Sequence, residues 1–393
     1  MLFDFIKPIW ILAILITPYL NLPIHYLLAS NSPESRIIIK HDELDNDHLK
    51  ETFPRPSDLH LKDTSKSFSL TAVGDIMMGT NFPSKNYLPP DSGNTLWAEA
   101  GPVLRSSNVT FGNLEGVILS EGGEMKECQN PKNCYLFRTP EDLSFQFKNN
   151  GFNLLSTANN HANDFGETGR QNTQKVLDSL EIGHAGSIEK AYHLLYINEL
   201  TIGFAAFAPN KGTQLIADMD EALHLVKILD SLSDVIVISF HGGAEGALHQ
   251  HVTRETEFYY GEDRGNVYNF SHSLIDAGAD VLIGHGPHVV RGIEVYKDRI
   301  IAYSLGNFLT YGRFNLKGIN ALAPLLDLNI GYDGRFISGQ IHSFIQNYSV
   351  GPRIDKENKA ALQIKKLSES DFPKNPISID AFGGINYLNK KID

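Results

Sequence analysis

The sequence predicts a layered α/β domain. Two observations carry that expectation. Apolar runs rich in β-branched residues, such as "DVIVISF" and "ADVLIG", alternate with stretches that read as helices. Five of these apolar runs also end in a polar residue able to bind a metal or move a proton. In open α/β sheets the binding crevice lies outside the carboxyl ends of the strands, so strand ends far apart in sequence can meet at one site.

The elements follow in order. Residues 1–30 differ from the rest: after Lys7, "PIWILAILITPYLNLPIHYLLAS" carries no formal charge apart from that of His25 when protonated. The run is long enough to span a bilayer. It reads either as a signal peptide, with "LLAS" as a small-residue cleavage site, or as an N-terminal membrane anchor. Pro8, Pro18 and Pro23 argue against a buried helix. Both readings expect the rest of the chain to be exported to the cell envelope, periplasmic or anchored facing outward. Residues 31–66, polar and holding Pro33, Pro54 and Pro56, read as a linker. The folded body is expected over 67–350. Its strands are "FSLTAVGD", "SNVTFGNLEG", "FNLLSTANNH", "YHLLYI", "TIGFAAF", "DVIVISFHGG", "ADVLIGHGPH", "IEVY", "RIIAYSLGN", "LLDLNI" and "RFISGQIH", the last two joined at the turn "GYDG". Helices are expected from about Gly166 to Leu180, across 216–230 and across 266–277. The polar segment 351–393 reads as an extension wrapped on the surface of the domain.

Composition limits the function classes. The chain has 393 residues, 42% hydrophobic and 20% charged, enough to bury a real core. Its formal net charge is −12 and it holds no long basic run, which argues against nucleic acid as a partner. An acidic surface suits metal cations and repels a polyanion unless the site itself is positive. Two cysteines, Cys128 and Cys134, flank Pro131 in "ECQNPKNCYLF". They close a small disulfide loop in an oxidising compartment, or stand as free thiols in a surface hairpin; the disulfide fits export. Two thiolates alone make a poor zinc site.

The chemistry sits at the strand ends. Asp75 follows "LTAVG" and Glu115 closes "VTFGNLE". Asn159, Asn160, His161 and Asp164 follow "LLSTA". His241 follows "VIVISF", and His285 and His288 follow "VLIG". Singly, each has an ordinary use: Gly-Asp pairs make turns, and Asn side chains bond their own backbone. Together they would need a separate accident at each strand end. Carboxylate, amide oxygen and imidazole suit a divalent ion such as Mn, Fe or Zn. Six or more donors favour two ions with a bridging carboxylate, polarising a substrate oxygen and lowering the pKa of a bound water. Gly284 and Gly286 let the backbone turn closely and Pro287 stiffens it, so His285 and His288 can approach one cluster.

Around this set, Glu245 in "HGGAEG" could orient a ligand histidine. Arg138 and Arg291 could hold an anionic substrate group or make surface salt bridges. His249 and His251 fall in a long loop after His241 and read as surface residues. Ser304 and Asn307 in "YSLGNF" lack the G-x-S-x-G elbow of a serine hydrolase, so a structural turn beside the metal site is expected.

The ordered set "GDIMMG", "GNLEG", "ANNHANDFG", "HGGAEG", "GADVLIGHGPHVVRGIEVY" and "IAYSLGNF" resembles the CapA proteins of capsule and poly-γ-glutamate synthesis, within the calcineurin-like metallophosphoesterase superfamily. The resemblance covers about residues 68–345. It implies a four-layer fold, a two-sheet β-sandwich flanked by helices, with a dinuclear metal centre. By motif, Asp75 takes the place of the first metal aspartate and Glu115 that of the bridging carboxylate. Asn160, His241, His285 and His288 match the remaining ligands. His161 matches the histidine that assists the leaving group or attacking water, held by Asp164. Met77 stands where the superfamily's Asp-x-His motif has a ligand. The resemblance thus implies a metal-dependent hydrolase of the cell envelope, with a metal-activated hydroxide attacking a phosphoester or amide. Its substrate would be an anionic polymer or small phosphoester, and capsule synthase subunits its partners. The alternative is a non-catalytic envelope subunit that binds anionic polymer or a synthase partner.

Overall fold

β1 (Ser67–Met77) opens the body with period-two alternation: Phe68, Leu70 and Ala72 turn to one side and Val73 to the other, all buried. The computed structural model describes residues 65–127, 135–348 and 350–388. The N-terminal segment, nearly all of the linker and the pair Cys128 and Cys134 lie outside the described residues. Among the described residues no helix is long and apolar enough to cross a membrane.

Three parallel neighbours follow β1 in one sheet: β2 (Val109–Leu114), β3 (Leu154–Ser156) and β4 (Gly183–Ala185). A second sheet begins with β5 (Tyr192–Ile197), antiparallel to β6 (Leu200–Phe207). It continues in parallel through β7 (Val235–His241), β8 (Val281–His285) and β10 (Arg299–Ala302), and β9 (Ile293–Tyr296) closes it antiparallel to β10. The chain then returns to the first sheet. β11 (Asn307–Thr310) runs parallel to β1, and β12 (Leu322–Gly331) and β13 (Phe336–Asn347) form its antiparallel half.

The two sheets pack face to face. Leu70, Val109, Phe111 and Leu154 of the first meet Phe204, Val237, Val281 and Ile283 of the second. Burying one such side chain stabilises the fold by ~2 kcal/mol. The outer faces are covered by helices. α1 (Gly166–Ser179) sets Leu177 in a cluster with Leu155 and Phe152 of the first sheet's outer side. α2 (Met219–Leu232) and α3 (Val267–Asp276) set Leu225, Leu229, Phe270 and Leu274 against Ile236, Ile238 and Leu282 of the second. The order helix, sheet, sheet, helix is the four-layer fold that the family resemblance implies. All three expected helices lie within three residues of their expected ends.

The segment after residue 350 carries more structure than its polarity suggested. β14 (Gly351–Ile354) pairs with β13, and β15 (Ile377–Ile379) and β16 (Gly384–Tyr387) extend the first sheet. Between them α4 (Lys359–Asp371) buries Ala360, Ala361, Ile364 and Leu367 in the core between the sheets. These positions recur at helical spacing and are masked in composition by exposed polar residues such as Lys359, Lys366, Glu369 and Ser370. Asn358 precedes the helix in a left-handed conformation, and from the turn before it Asp355 Oδ2 accepts the Lys359 N–H at 2.8 Å.

His184 on β4 ties the fold to pH. Its side chain is fully buried, with Nε2 3.1 Å from Asp178 Oδ1 and 3.1 Å from Lys190 Nζ. Burial, reinforced by the Lys190 charge, pushes the imidazole down from 6.5 to about 4. Above pH 6.5 the ring is neutral in folded and unfolded chains alike. Between 6.5 and about 4 the unfolded chain takes up a proton that the folded one refuses, so stability falls as pH falls. The expected loss from this group is ~3 kcal/mol across that window. Urea unfolding of the wild type and His184→Gln at pH 7 and pH 4.5 measures it: the variant should lose less stability on acidification, and equal losses would exclude His184 as the cause.

Candidate metal centre

The parallel halves of both sheets direct their carboxyl ends to one rim. Asp75 on β1 is in register with Asn113 of β2 on one side and with Asn307 of β11 on the other. Its N–H donates to the Gly306 carbonyl at 2.9 Å. Gly74 makes that approach possible, because a Cβ there would lie 2.0 Å from the same carbonyl oxygen. In the second sheet His241 and His285 are direct register partners at the ends of β7 and β8. The chain then turns at Gly286, whose φ of +113° suits glycine and whose Cβ would meet the Gly242 backbone. His288 follows with φ +55°, a left-handed conformation unusual for histidine. Asn307 holds it there: its Nδ2 donates to the His288 carbonyl at 3.1 Å, and its Oδ1 accepts from His288 Nδ1 at 3.2 Å.

These residues form one buried cluster. Asp75, Glu115, His241 and His285 are fully buried, and His288 is slightly exposed. Asp75 Oδ2 lies 2.9 Å from His288 Nδ1, and Asp75 Oδ1 lies 3.3 Å from His285 Nδ1. Glu115 Oε2 lies 3.8 Å from His241 Nδ1, and its Oε1 lies 3.9 Å from His288 Nε2. A single amide keeps the two carboxylates together. Asn113 Nδ2 donates to Asp75 Oδ1 at 2.8 Å and to Glu115 Oε2 at 2.7 Å.

Several donors here lack partners. Both ring nitrogens of His241 and of His285, Glu115 Oε1 and Asn160 Oδ1 are buried with no hydrogen bond. Leaving such groups unpaired costs on the order of 1–3 kcal/mol each, so a native protein needs a reason for them. A divalent cation supplies one. Donor atoms of Glu115, His241 and His288 all lie within 4.8 Å of one another, and the set is carboxylate and imidazole, with the Asn160 amide oxygen alongside.

The electrostatics agree. Burial, then the charge of Asp75, pushes the Glu115 carboxyl well above its usual range. Burial also acts to raise Asp75, but the close approach and charge of His285 and His288 outweigh it and hold that carboxyl down. Burial opposes charge on His288, yet the hydrogen bond and charge of Asp75 push it up to about 10. Burial keeps His241 well below its ordinary value, in the neutral form that binds metal. Without a cation, positive charge on His288 balances the Asp75 carboxylate.

Above the cluster opens a cleft of about 290 Å³ lined by Asn160, His161, Glu245, His288, Asn307 and the 313–315 segment, among others. His161 is oriented by two contacts. Its Nδ1 lies 2.7 Å from Asp164 Oδ2, and its ring packs 4.2 Å from the Phe137 ring. Asp164 is fully buried and is itself held by the Phe137 N–H, which donates to Oδ2 at 2.7 Å. Asn159 ties this loop to β2: Nδ2 donates to the Leu114 carbonyl at 2.7 Å, and Oδ1 accepts the His161 N–H at 3.0 Å.

A family model described as bacterial capsule synthesis protein PGA_cap matches residues 69–311. The chain belongs to this family. Relatives of the PGA_cap chain include the capsule biosynthesis protein CapA of Bacillus anthracis, 28% identical over 62% of this chain and 60% of that protein. The PGA biosynthesis protein CapA of Bacillus subtilis is also 28% identical, over 61% of this chain and 63% of that protein. The match thus spans about three fifths of these relatives' own length. Similar solved structures include a hypothetical protein from Thermus thermophilus, at 12% identity and TM-score 0.43 over 70% of this chain and 99% of that one. Another is a putative 5'-nucleotidase from Staphylococcus aureus, at 14% identity and TM-score 0.42 over 77% of this chain and 58% of that one.

The structure brings Asp75, Glu115, His241, His285, His288 and Asn307 into one cluster, with Asn160 and His161 on its cleft. It places the other expected residues differently. Arg291 is fully buried: its guanidinium donates to both Glu257 oxygens at 2.8 and 2.7 Å, to the His249 carbonyl at 2.9 Å and to the Ala244 carbonyl at 3.3 Å. It is therefore neither a surface pair nor turned to substrate, and fastens the loop after β7. Arg138 donates to Asn81 Oδ1 at 2.7 Å and to the Gly122 carbonyl at 2.9 Å, and lies over the Phe165 ring. Glu245 lines the cleft but bonds Arg264, not a ligand histidine. Ser304 Oγ donates to the Val289 carbonyl at 2.8 Å and is buried, a turn residue. Met77, at the end of β1, is fully buried. Asn113 went unnoticed in the sequence, although its place two residues before Glu115 put it on the same face of the strand.

Two outcomes follow. Adding Mn²⁺ to chelated protein should raise Tm, with ~3 kcal/mol of stabilisation at a hundredfold excess over Kd. Glu115→Ala and His241→Ala should abolish that rise, and a rise unchanged in both would place the cation elsewhere. Gly74→Ala should cost about 3 kcal/mol in urea unfolding, because the new methyl displaces the carbonyl that holds Asp75.

Proposed function

We propose that this chain is a metal-dependent hydrolase of the cell envelope, acting in capsule or poly-γ-glutamate synthesis or processing. The observation that carries the reading is a juxtaposition: a buried, unpartnered donor set opens on the same cleft as an oriented His161–Asp164 pair. The capsule and PGA biosynthesis names of the Bacillus relatives support the setting. The apolar segment 1–30 supports export, as a signal peptide or an anchor.

Asp75, Glu115, Asn160, His241, His285 and His288 would hold the cation, and the donor number favours two ions drawn from Mn, Fe or Zn. Bound there, it supplies Lewis acidity to a substrate oxygen and lowers the pKa of water. The protein's own groups do the rest. Asp164 accepts from His161 Nδ1, which leaves Nε2 as the atom that gives a proton to the leaving group. Asn113 keeps the two carboxylates aligned, and Asn307 keeps His288 in its strained conformation. Phe137 packs against the His161 ring and is itself stacked on Phe314, which supports the ring's orientation. The bond broken is a phosphoester or an amide, in an anionic polymer or a small phosphoester. Capsule synthase subunits are the proposed partners.

Met77 favours a second reading. With a buried thioether where related metal sites have a histidine, the chain would be a non-catalytic envelope subunit that binds anionic polymer or a synthase partner.

One experiment separates the two. Bound Mn, Fe and Zn are measured on the purified full-length chain, and hydrolysis of a phosphodiester and a γ-glutamyl peptide is followed with and without chelator. His161→Ala should lower turnover by ~10²–10⁴-fold at unchanged metal content. His285→Ala should lower metal content and turnover together. Metal-free wild type that binds polymer would support the non-catalytic reading, and chelator-insensitive turnover would sink the metal-dependent one.

A further inference from the structure

Among the described residues one guanidinium lines the cleft, that of Arg313, from the segment between β11 and β12. Its carbon lies 5.0 Å from the Tyr87 ring centroid and 4.8 Å from that of Tyr135. Among the described residues, no carboxylate or carbonyl accepts a hydrogen bond from it. The neighbouring arginines differ: Arg291 is paired with Glu257, Arg264 with Glu245, and Arg138 with Asn81 and the Gly122 carbonyl. Cation–π contact holds a guanidinium by its flat face and leaves its edge N–H donors available.

The next residue fixes its place relative to the chemistry. Phe314 stacks on Phe137 with centroids 5.0 Å apart, and meets His288 edge-on at 5.5 Å. Phe137 in turn packs on His161. Phe314 is thus seated between the aromatic support of the proton donor and a metal ligand. The adjoining Arg313 stands on the wall of the same cleft. The acid on that wall, Glu245, is paired with Arg264, which Glu262 also engages, and Asn307, Asn315, Asn320 and Tyr259 are neutral. In a chain of net charge −12, the cleft therefore presents an uncompensated cation.

We infer that Arg313 is a specificity determinant that binds an oxyanion of the substrate, a carboxylate or a phosphate. The inference deepens the proposed hydrolase and rests on its cleft being the substrate site. The planar fork pairs bidentately with either oxyanion, and a lysine keeps the charge but loses the fork. Charged substrates are thereby retained by a protein whose overall field repels them.

The test uses the full-length, Mn²⁺-loaded protein with Arg313→Met and Arg313→Lys. Binding of γ-glutamyl-glutamate, its fully amidated counterpart and inorganic phosphate is measured by calorimetry, alongside metal content and Tm. Arg313→Met should weaken binding of at least one anion by ~10–100-fold, with Arg313→Lys intermediate and metal content unchanged. Binding of the amidated probe should stay the same. Loss confined to the dipeptide assigns a carboxylate, and loss confined to phosphate assigns a phosphate. Unchanged anion binding in Arg313→Met, equal loss for the amidated probe, or a wild type that binds no anion overturns the inference. If the wild type binds anions through Arg313 but hydrolyses nothing, the hydrolase reading fails and the inference stands.

Discussion

Two carboxylates, Asp75 and Glu115, are buried side by side at the ends of adjacent parallel strands, and the surrounding structure answers that constraint. Taking an ion out of water costs several kcal/mol even after relaxation. Two like charges in contact add to that cost. The chain meets it with one amide shared between them, three imidazoles converging from the other sheet, and donors left open for a cation. Asn113 bonds both carboxylates, and His285 and His288 lie against Asp75, so these groups support one another. This reciprocity is why the site can be both strained, as at His288, and rigid.

The fold makes the convergence possible through strand direction. The sheets are joined by an apolar core, and their parallel strands end at a common rim. Carboxylates come from the first sheet and imidazoles from the second. Separating the sheets would separate anions from their partners, so packing between Phe111 and Phe204 supports the site's electrostatics as well as stability. The loop after β7 is fastened by Arg291 and Glu257, and this sets the far wall of the cleft on which Glu245 and Tyr259 sit. Aromatic contacts from Phe137 through Phe314 to His288 brace the near wall.

Much of this was legible in the chain itself. Strand ends carry their polar residues immediately after apolar runs, so Asp75, Glu115, His241 and His285 could be named before any coordinates. The helices at 219–232 and 267–276 follow from their periodic apolar positions, whereas that at 166–179 buries Gly169, Thr173 and Leu177 along one face. α4 was hidden because its buried stripe of Ala360, Ala361, Ile364 and Leu367 is outnumbered by polar residues, and local composition says nothing of which face finds a core. The two arginines expected near an anion were drawn elsewhere by partners distant in sequence, Glu257 and Asn81. Arg313 lies in the family-like stretch "YGRFNL", but its availability depends on what fails to approach it, which no local pattern carries.

Residue chemistry and strand patterning by themselves determined a layered α/β body, a set of metal-capable donors at strand ends, and a likeness to capsule synthesis proteins. Those features are local: alternation, apolar runs and motif spacing all act within a few residues. Tertiary structure alone decided which donors share a cluster, which of them lack partners, and which cation faces the cleft. Such properties depend on distances between groups up to 213 positions apart, as for His288 and Asp75, and these are set only when the two sheets close on their common core.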